Sequence, residues 1–99
     1  MYARVTSVTV QPANAAEVTR IFNESIVPAV RAASGNRGIF LLIDATTGKG
    51  MSISVWNSQA EGETYDASGG YREQVAKVAP FFSAAPSLAT YEVAALSQG

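Results

Sequence analysis

Between Gly38 and Asp44 the chain reads GIFLLID, apolar at every position from Ile39 to Ile43. Successive side chains of a strand point to opposite faces, so a strand apolar at both parities needs cover on both sides. That demand is severe for a chain of 99 residues. A domain of this size buries only about two-thirds of the surface its unfolded chain exposes. The composition sharpens the problem, because 47% of the residues are hydrophobic and only 15% are charged. A second chain is therefore expected to cover one face.

The rest of the sequence predicts what covers the other. Residues 2–10 (YARVTSVTV) are rich in β-branched side chains and read as a strand that Gln11-Pro12 ends. Asn14-Ala15-Ala16-Glu17 reads as a capping box opening a helix. Val18, Ile21, Phe22, Ser25, Ala29 and Val30 then form one largely apolar stripe. Pro28 lies inside this pattern and predicts a kink or restart, since it donates no helical hydrogen bond. After the strand at 38–44, the DATTGKG loop reads as a hairpin turn. The return strand 51–56 alternates, with Met51, Ile53 and Val55 on one face and Ser52, Ser54 and Trp56 on the other. Ser58-Gln59-Ala60-Glu61 is a second capping box, Gly69-Gly70 breaks the helix it starts, and Pro80 ends the next. Leu88 to Leu96 reads as the last strand. The order is β-α-β-β-α-β: one α+β domain over residues 1–99, ferredoxin-like, with a four-stranded antiparallel sheet and helices on one face. The bare face is expected to meet its own copy, two sheets pairing into a dimeric α/β barrel.

Several function classes are disfavoured. Seven basic and eight acidic residues, with no basic run, lack the electrostatic footprint of a nucleic-acid binder. With no cysteine and no histidine, the chain has no thiolate nucleophile, no imidazole base and no common transition-metal ligand set, so no metal or cofactor is expected. The opening MYARVTSVTV is too polar for a secretion signal, and the longest apolar run is far short of the ~20 residues that span a membrane. A cytoplasmic protein is expected.

The P-x-x-x-x-E helix opening, the IVPAVR stretch with its proline and the D-x-x-T-G-K turn resemble the antibiotic-biosynthesis monooxygenase-like domains of the dimeric α/β-barrel superfamily. So do SVWNSQAE and the FFSAAP that leads into TYEV. The resemblance covers essentially the whole chain through the order and spacing of these motifs. It implies a ferredoxin-like subunit, a paired sheet and a pocket between sheet and helices. It also implies relatives that include cofactor-free oxygenases of polycyclic phenols and haem-degrading oxygenases. Trp56 matches the tryptophan at the end of the third strand in both oxygenase branches. The haem degraders add an iron-ligating histidine on the following helix and an asparagine on the first strand. This chain has Tyr65 and Asp66 in the first place and no asparagine in residues 2–10, which sets it apart from them.

The candidate site follows from aromatic and hydroxyl groups. Trp56 could stack on a flat ligand and donate its indole N–H, or pack beneath the second helix with a backbone acceptor. Ser52 and Ser54 share its face. Tyr65 and Tyr71 could donate to a developing oxyanion, or serve as half-buried packing, and Phe82 adds apolar wall. Arg31, and less so Arg72, could pin an acidic or phenolic ligand, or could be solvated surface charges. The catalytic candidates are Trp56, Tyr65 and Tyr71; the substrate-binding candidates are Trp56, Ser52, Ser54, Phe82 and Arg31. Two functions compete. One is a small-molecule pocket protein acting as a cofactor-independent monooxygenase of aromatic substrates; the other is a non-catalytic dimeric binding or assembly module. A general-base isomerase relying on Glu92 or Asp66 ranks third.

Overall fold

The β-branched N-terminal run forms β1 (Tyr2–Thr9) in the computed structural model, which describes residues 1–97. The chain continues through α1 (Ala15–Ile21), a π-helical turn (Phe22–Ile26) and α2 (Val27–Arg31). Strands β2 (Asn36–Ile43) and β3 (Lys49–Trp56) form the hairpin. Helices α3 (Gln59–Ala67) and α4 (Gly70–Val78) lead to β4 (Ser87–Glu92). The sheet order is β2-β3-β1-β4 with every neighbouring pair antiparallel. This is the α+β, ferredoxin-like arrangement. The last strand stops at Glu92, short of the expected Leu96, because only its residues up to there pair with β1. Among the described residues no helix is long and apolar enough to cross a membrane.

Pro28 restarts the helix as expected, but by widening it. Its predecessor Val27 donates to Phe22 O five residues back, and Pro28 then sits in the first turn of α2. The consequence is a changed stripe. After Ala15 in the first turn, the buried residues are Val18, Phe22, Ile26 and Val30, spaced by four, rather than a stripe running through Ser25 and Ala29. On a regular α-helix a spacing of four drifts by about 40° per step. The wider π turn absorbs that drift and holds all four on the core face. Asn14 does not cap α1 through its side chain, because a 3-10 turn at Pro12–Asn14 leads into the helix and puts Asn14 in helical geometry. Glu17 pairs with Arg20 instead. Ser58 does cap α3, accepting the Glu61 N–H at 3.3 Å.

The two faces of the sheet differ as the alternation required. Ile39, Leu41 and Ile43 of β2 pack against the core under the helices, whereas Phe40 and Leu42 are 47% and 51% exposed. Met51 and Tyr91 are also exposed, and the strand register puts them on that same open side with Ile53, Val5 and Ala3. Trp56 lies on the opposite, helix-covered side with Ser52 and Ser54, and it is 0% exposed.

Candidate functional site

A cavity lies between the helix-covered sheet face and the helices. Its floor is Arg4, Thr6 and Val8 of β1, Ser52 and Ser54 of β3 and Ile39 of β2. Phe22, Ile26 and Val30 form one wall; Tyr65, Tyr71, Gln74, Val75, Val78 and Phe82 form the other. The periodicities explain the composition. Strand alternation aims Arg4, Thr6, Ser52 and Ser54 at one side, so a polar floor faces apolar helix stripes. The enclosed space is small, about 60 Å³. Room for a few waters is present; an apolar cavity that admits benzene measures about 150 Å³.

Of the residues predicted from sequence, Ser52, Ser54, Tyr65, Tyr71 and Phe82 converge on this cavity. Trp56 and Arg31 are not among its lining residues. Trp56 sits behind Ser54, donating its indole N–H to Ser54 Oγ at 3.0 Å, with its ring 5.1 Å from that of Tyr65 and tilted by 34°. Its link to the cavity is that hydrogen bond to Ser54. Arg31 donates to Asn36 O and Oδ1, both at 2.9 Å, tying the end of α2 to the start of β2. Arg72 and Glu92 are exposed. Asp44 accepts the backbone N–H groups of Thr46 and Thr47, which hold its carboxyl below its ordinary value and fix the hairpin turn.

Arg4, Thr6 and Gln74 went unnoticed in the sequence, and all three are buried. The signal was present but needed the register: Arg4 pairs with Ser54 and Thr6 with Ser52, so they share the polar face of β3. Thr6 Oγ1 donates to Tyr71 Oη at 3.1 Å. The Arg4 guanidinium lies 5.3 Å from the Tyr71 ring centroid, a cation–π distance. Its Nη2 is 3.2 Å from Asp66 Oδ2 of α3. The alignment of that ion pair falls short of a hydrogen bond, so Nη2 is buried without a hydrogen-bond partner. Gly62 permits the close approach of α3, since a Cβ there would lie 3.3 Å from Arg4 Cδ and 3.5 Å from Trp56.

Burial raises the Tyr65 phenol above its ordinary value. Glu73 pushes it the same way and Gln74 pulls against it, though no hydrogen bond of sound geometry reaches Tyr65 Oη. Tyr65 also packs closely over the start of α4. A Cβ on Gly70 would fall 2.4 Å from Tyr65 Cε1, whereas one on Gly69 would meet nothing but requires a residue at φ +87°. Gly70→Ala is expected to lose about 1–3 kcal/mol by displacing the Tyr65 ring. Gly69→Ala should lose about 1 kcal/mol through left-handed backbone strain alone. Urea unfolding of both variants, with a Tyr65→Ala background in which the Gly70→Ala loss should shrink, checks the difference.

An α+β ferredoxin-like subunit with a cavity between sheet and helices defines the class. The sequence matches the antibiotic biosynthesis monooxygenase family over residues 1–77, and the chain belongs to that family. Rv0793 from Mycobacterium tuberculosis is similar in structure, with a TM-score of 0.71 at 16% identity over 98% of this chain and 96% of that one. The NE2512 protein of unknown function from Nitrosomonas europaea gives 0.77 at 16% identity, covering 99% of this chain and 93% of its own. A variant of MhuD carrying two manganese protoporphyrin IX molecules per active site gives 0.78 at 20% identity over 100% of both chains. At these identities the likeness is one of fold. No curated protein matches significantly.

Proposed function

We propose that the chain binds a small aromatic molecule in this cavity and oxygenates it without a cofactor, as a homodimer. The observation that carries the reading is the hydroxyl-bearing floor of Thr6, Ser52 and Ser54, with Tyr71 above it, set in an otherwise apolar space. Such a surface grips a ring by its apolar walls and fixes its oxygen substituents by hydrogen bonds. Thr6 already donates to Tyr71 Oη, so the Tyr71 proton is left for a ligand oxygen. In the reaction, an electron-rich phenol loses a proton and passes an electron to oxygen. The radical pair joins as a peroxide anion, which takes back one proton to become a hydroperoxide and then loses water to leave a carbonyl. One oxygen atom enters the substrate, the other leaves as water, and the substrate supplies both electrons and both hydrogens. The residues bind, orient and exclude water; Tyr71 steadies the substrate oxyanion.

A ring needs more room than about 60 Å³. The Gly69-Gly70 break, where α4 begins, is the natural place for the wall carrying Tyr71 to swing aside. A porphyrin such as the one in the MhuD variant does not suit this site, because the space is far too small and the chain has no histidine to ligate iron. The narrowness also favours the second reading, a binding module without catalysis.

Oxygen consumption with a panel of anthrones and hydroquinones separates the two. Protein-dependent uptake of one oxygen molecule per anthrone, reduced about 10-fold or more in Tyr71→Phe, is the expected result. Binding with no uptake across the panel would leave the binding module standing and remove the oxygenase.

A further inference from the structure

The cavity holds one charged group whose role the oxygenase reading does not need. Arg4 is 5% exposed, yet its Nη2 has no hydrogen-bond partner among the described residues. A guanidinium in such a place is costly unless an anion faces it. Among the described residues the only carboxylate touching it is Asp66, which is 47% exposed and meets it at 3.2 Å outside hydrogen-bond geometry. Asp66 therefore neutralises Arg4 loosely, from a position that can turn to solvent. The same cavity is lined by proton donors: the Tyr71 hydroxyl, freed by accepting from Thr6, and the hydroxyls of Ser52 and Ser54. No carboxylate is among the residues lining the cavity.

We propose that the ligand carries a carboxylate, which replaces Asp66 on Arg4 and takes the two-pronged hydrogen bond that the guanidinium lacks. The inference rests on the small-molecule reading of the cavity and adds the charge of what enters it. The fork of N–H donors matches a carboxylate in the plane, a match that a neutral amide cannot reproduce. Asp66 then acts as a stand-in anion that keeps Arg4 paired while the site is empty and lowers the affinity for any anion it competes with.

The chain has one tryptophan, so its indole N–H gives a single cross-peak in a nitrogen-15 spectrum. That N–H is bonded to Ser54, a cavity residue, and so reports on occupancy. Titration with benzoate and with its neutral counterpart benzamide is the test. In the unmodified chain, benzoate is expected to bind at least about 10-fold more tightly than benzamide, a difference of about 1.4 kcal/mol. Arg4→Gln should bring that ratio to about one. Asp66→Asn should tighten benzoate about 3-fold or more while leaving benzamide unchanged, an effect readable even where Arg4→Gln fails to fold. Equal binding of the two ligands, or weaker benzoate binding in Asp66→Asn, would overturn the carboxylate assignment and leave the pocket. No movement of the cross-peak with either ligand would overturn both.

Discussion

Trp56→Ala is expected to destabilise the fold by about 3–5 kcal/mol, a large share of the roughly 5–15 kcal/mol that holds a domain together. The side chain is 0% exposed, packs against Tyr65 and lies under Gly62 of α3. Removing it leaves a void between β3 and α3 that neither element can close without breaking the sheet register or the Ser58 cap. Trp56→Phe isolates a smaller part. The phenyl ring keeps most of the packing but cannot donate to Ser54 Oγ, which should cost about 1–2 kcal/mol. It also frees the Ser54 hydroxyl to rotate at the cavity floor. Urea denaturation followed by circular dichroism gives both values. A loss below about 1 kcal/mol for Trp56→Ala would contradict the core role assigned here. Because the variant is expected to be so weakened, ligand and oxygen assays are better read on Tyr71→Phe and Asp66→Asn.

The two roles weighed for that indole show how far the sequence reaches. Alternation placed Ser52, Ser54 and Trp56 together, and that grouping holds. It could not show that the last of the three turns behind its neighbours, because that depends on α3 closing over the strand end through Gly62. The βαββαβ order, the Gly69-Gly70 break and the Ser58 cap were legible, each being a local pattern with a local cause; the Glu61 half of that capping box does not form, its Oε2 being buried without a hydrogen-bond partner among the described residues. Ile26 was missed because a 3.6-residue period was applied across residues 22–26, where the π turn changes the period. Arg4 was missed for a different reason. Its strand carries polar residues on both faces, and only pairing with β3 tells which face is inside. Arg31 read as a possible anion clamp, but its partner is the carbonyl and side chain of Asn36 at the β2 bulge. That contact links positions whose approach only the fold creates.

The proposed dimer is where the opening GIFLLID stretch makes its sharpest demand. Under the homodimer reading, Ile53→Glu should convert the protein to monomers. Ile53 stands on central strand β3 opposite Phe40 of β2 and Val5 of β1, on the face the helices leave open. In a lone chain a glutamate there points to water, so the fold should persist. In a face-to-face pair the twofold axis brings both new carboxylates into one apolar layer, unpaired and close to each other. Desolvating an unpaired charge costs several kcal/mol per copy. A total above about 4 kcal/mol weakens association about 1,000-fold or more. Sedimentation of the variant at micromolar concentration should give a single species near 10.4 kDa, with the unmodified chain at twice that mass. The unmodified protein should also melt at a higher temperature as its concentration rises, and the variant should not. An unmodified chain that sediments as a monomer would mean that Phe40 and Leu42, 47% and 51% exposed, face water. The paired-sheet architecture would then be wrong, whatever the cavity on the other side of the sheet binds.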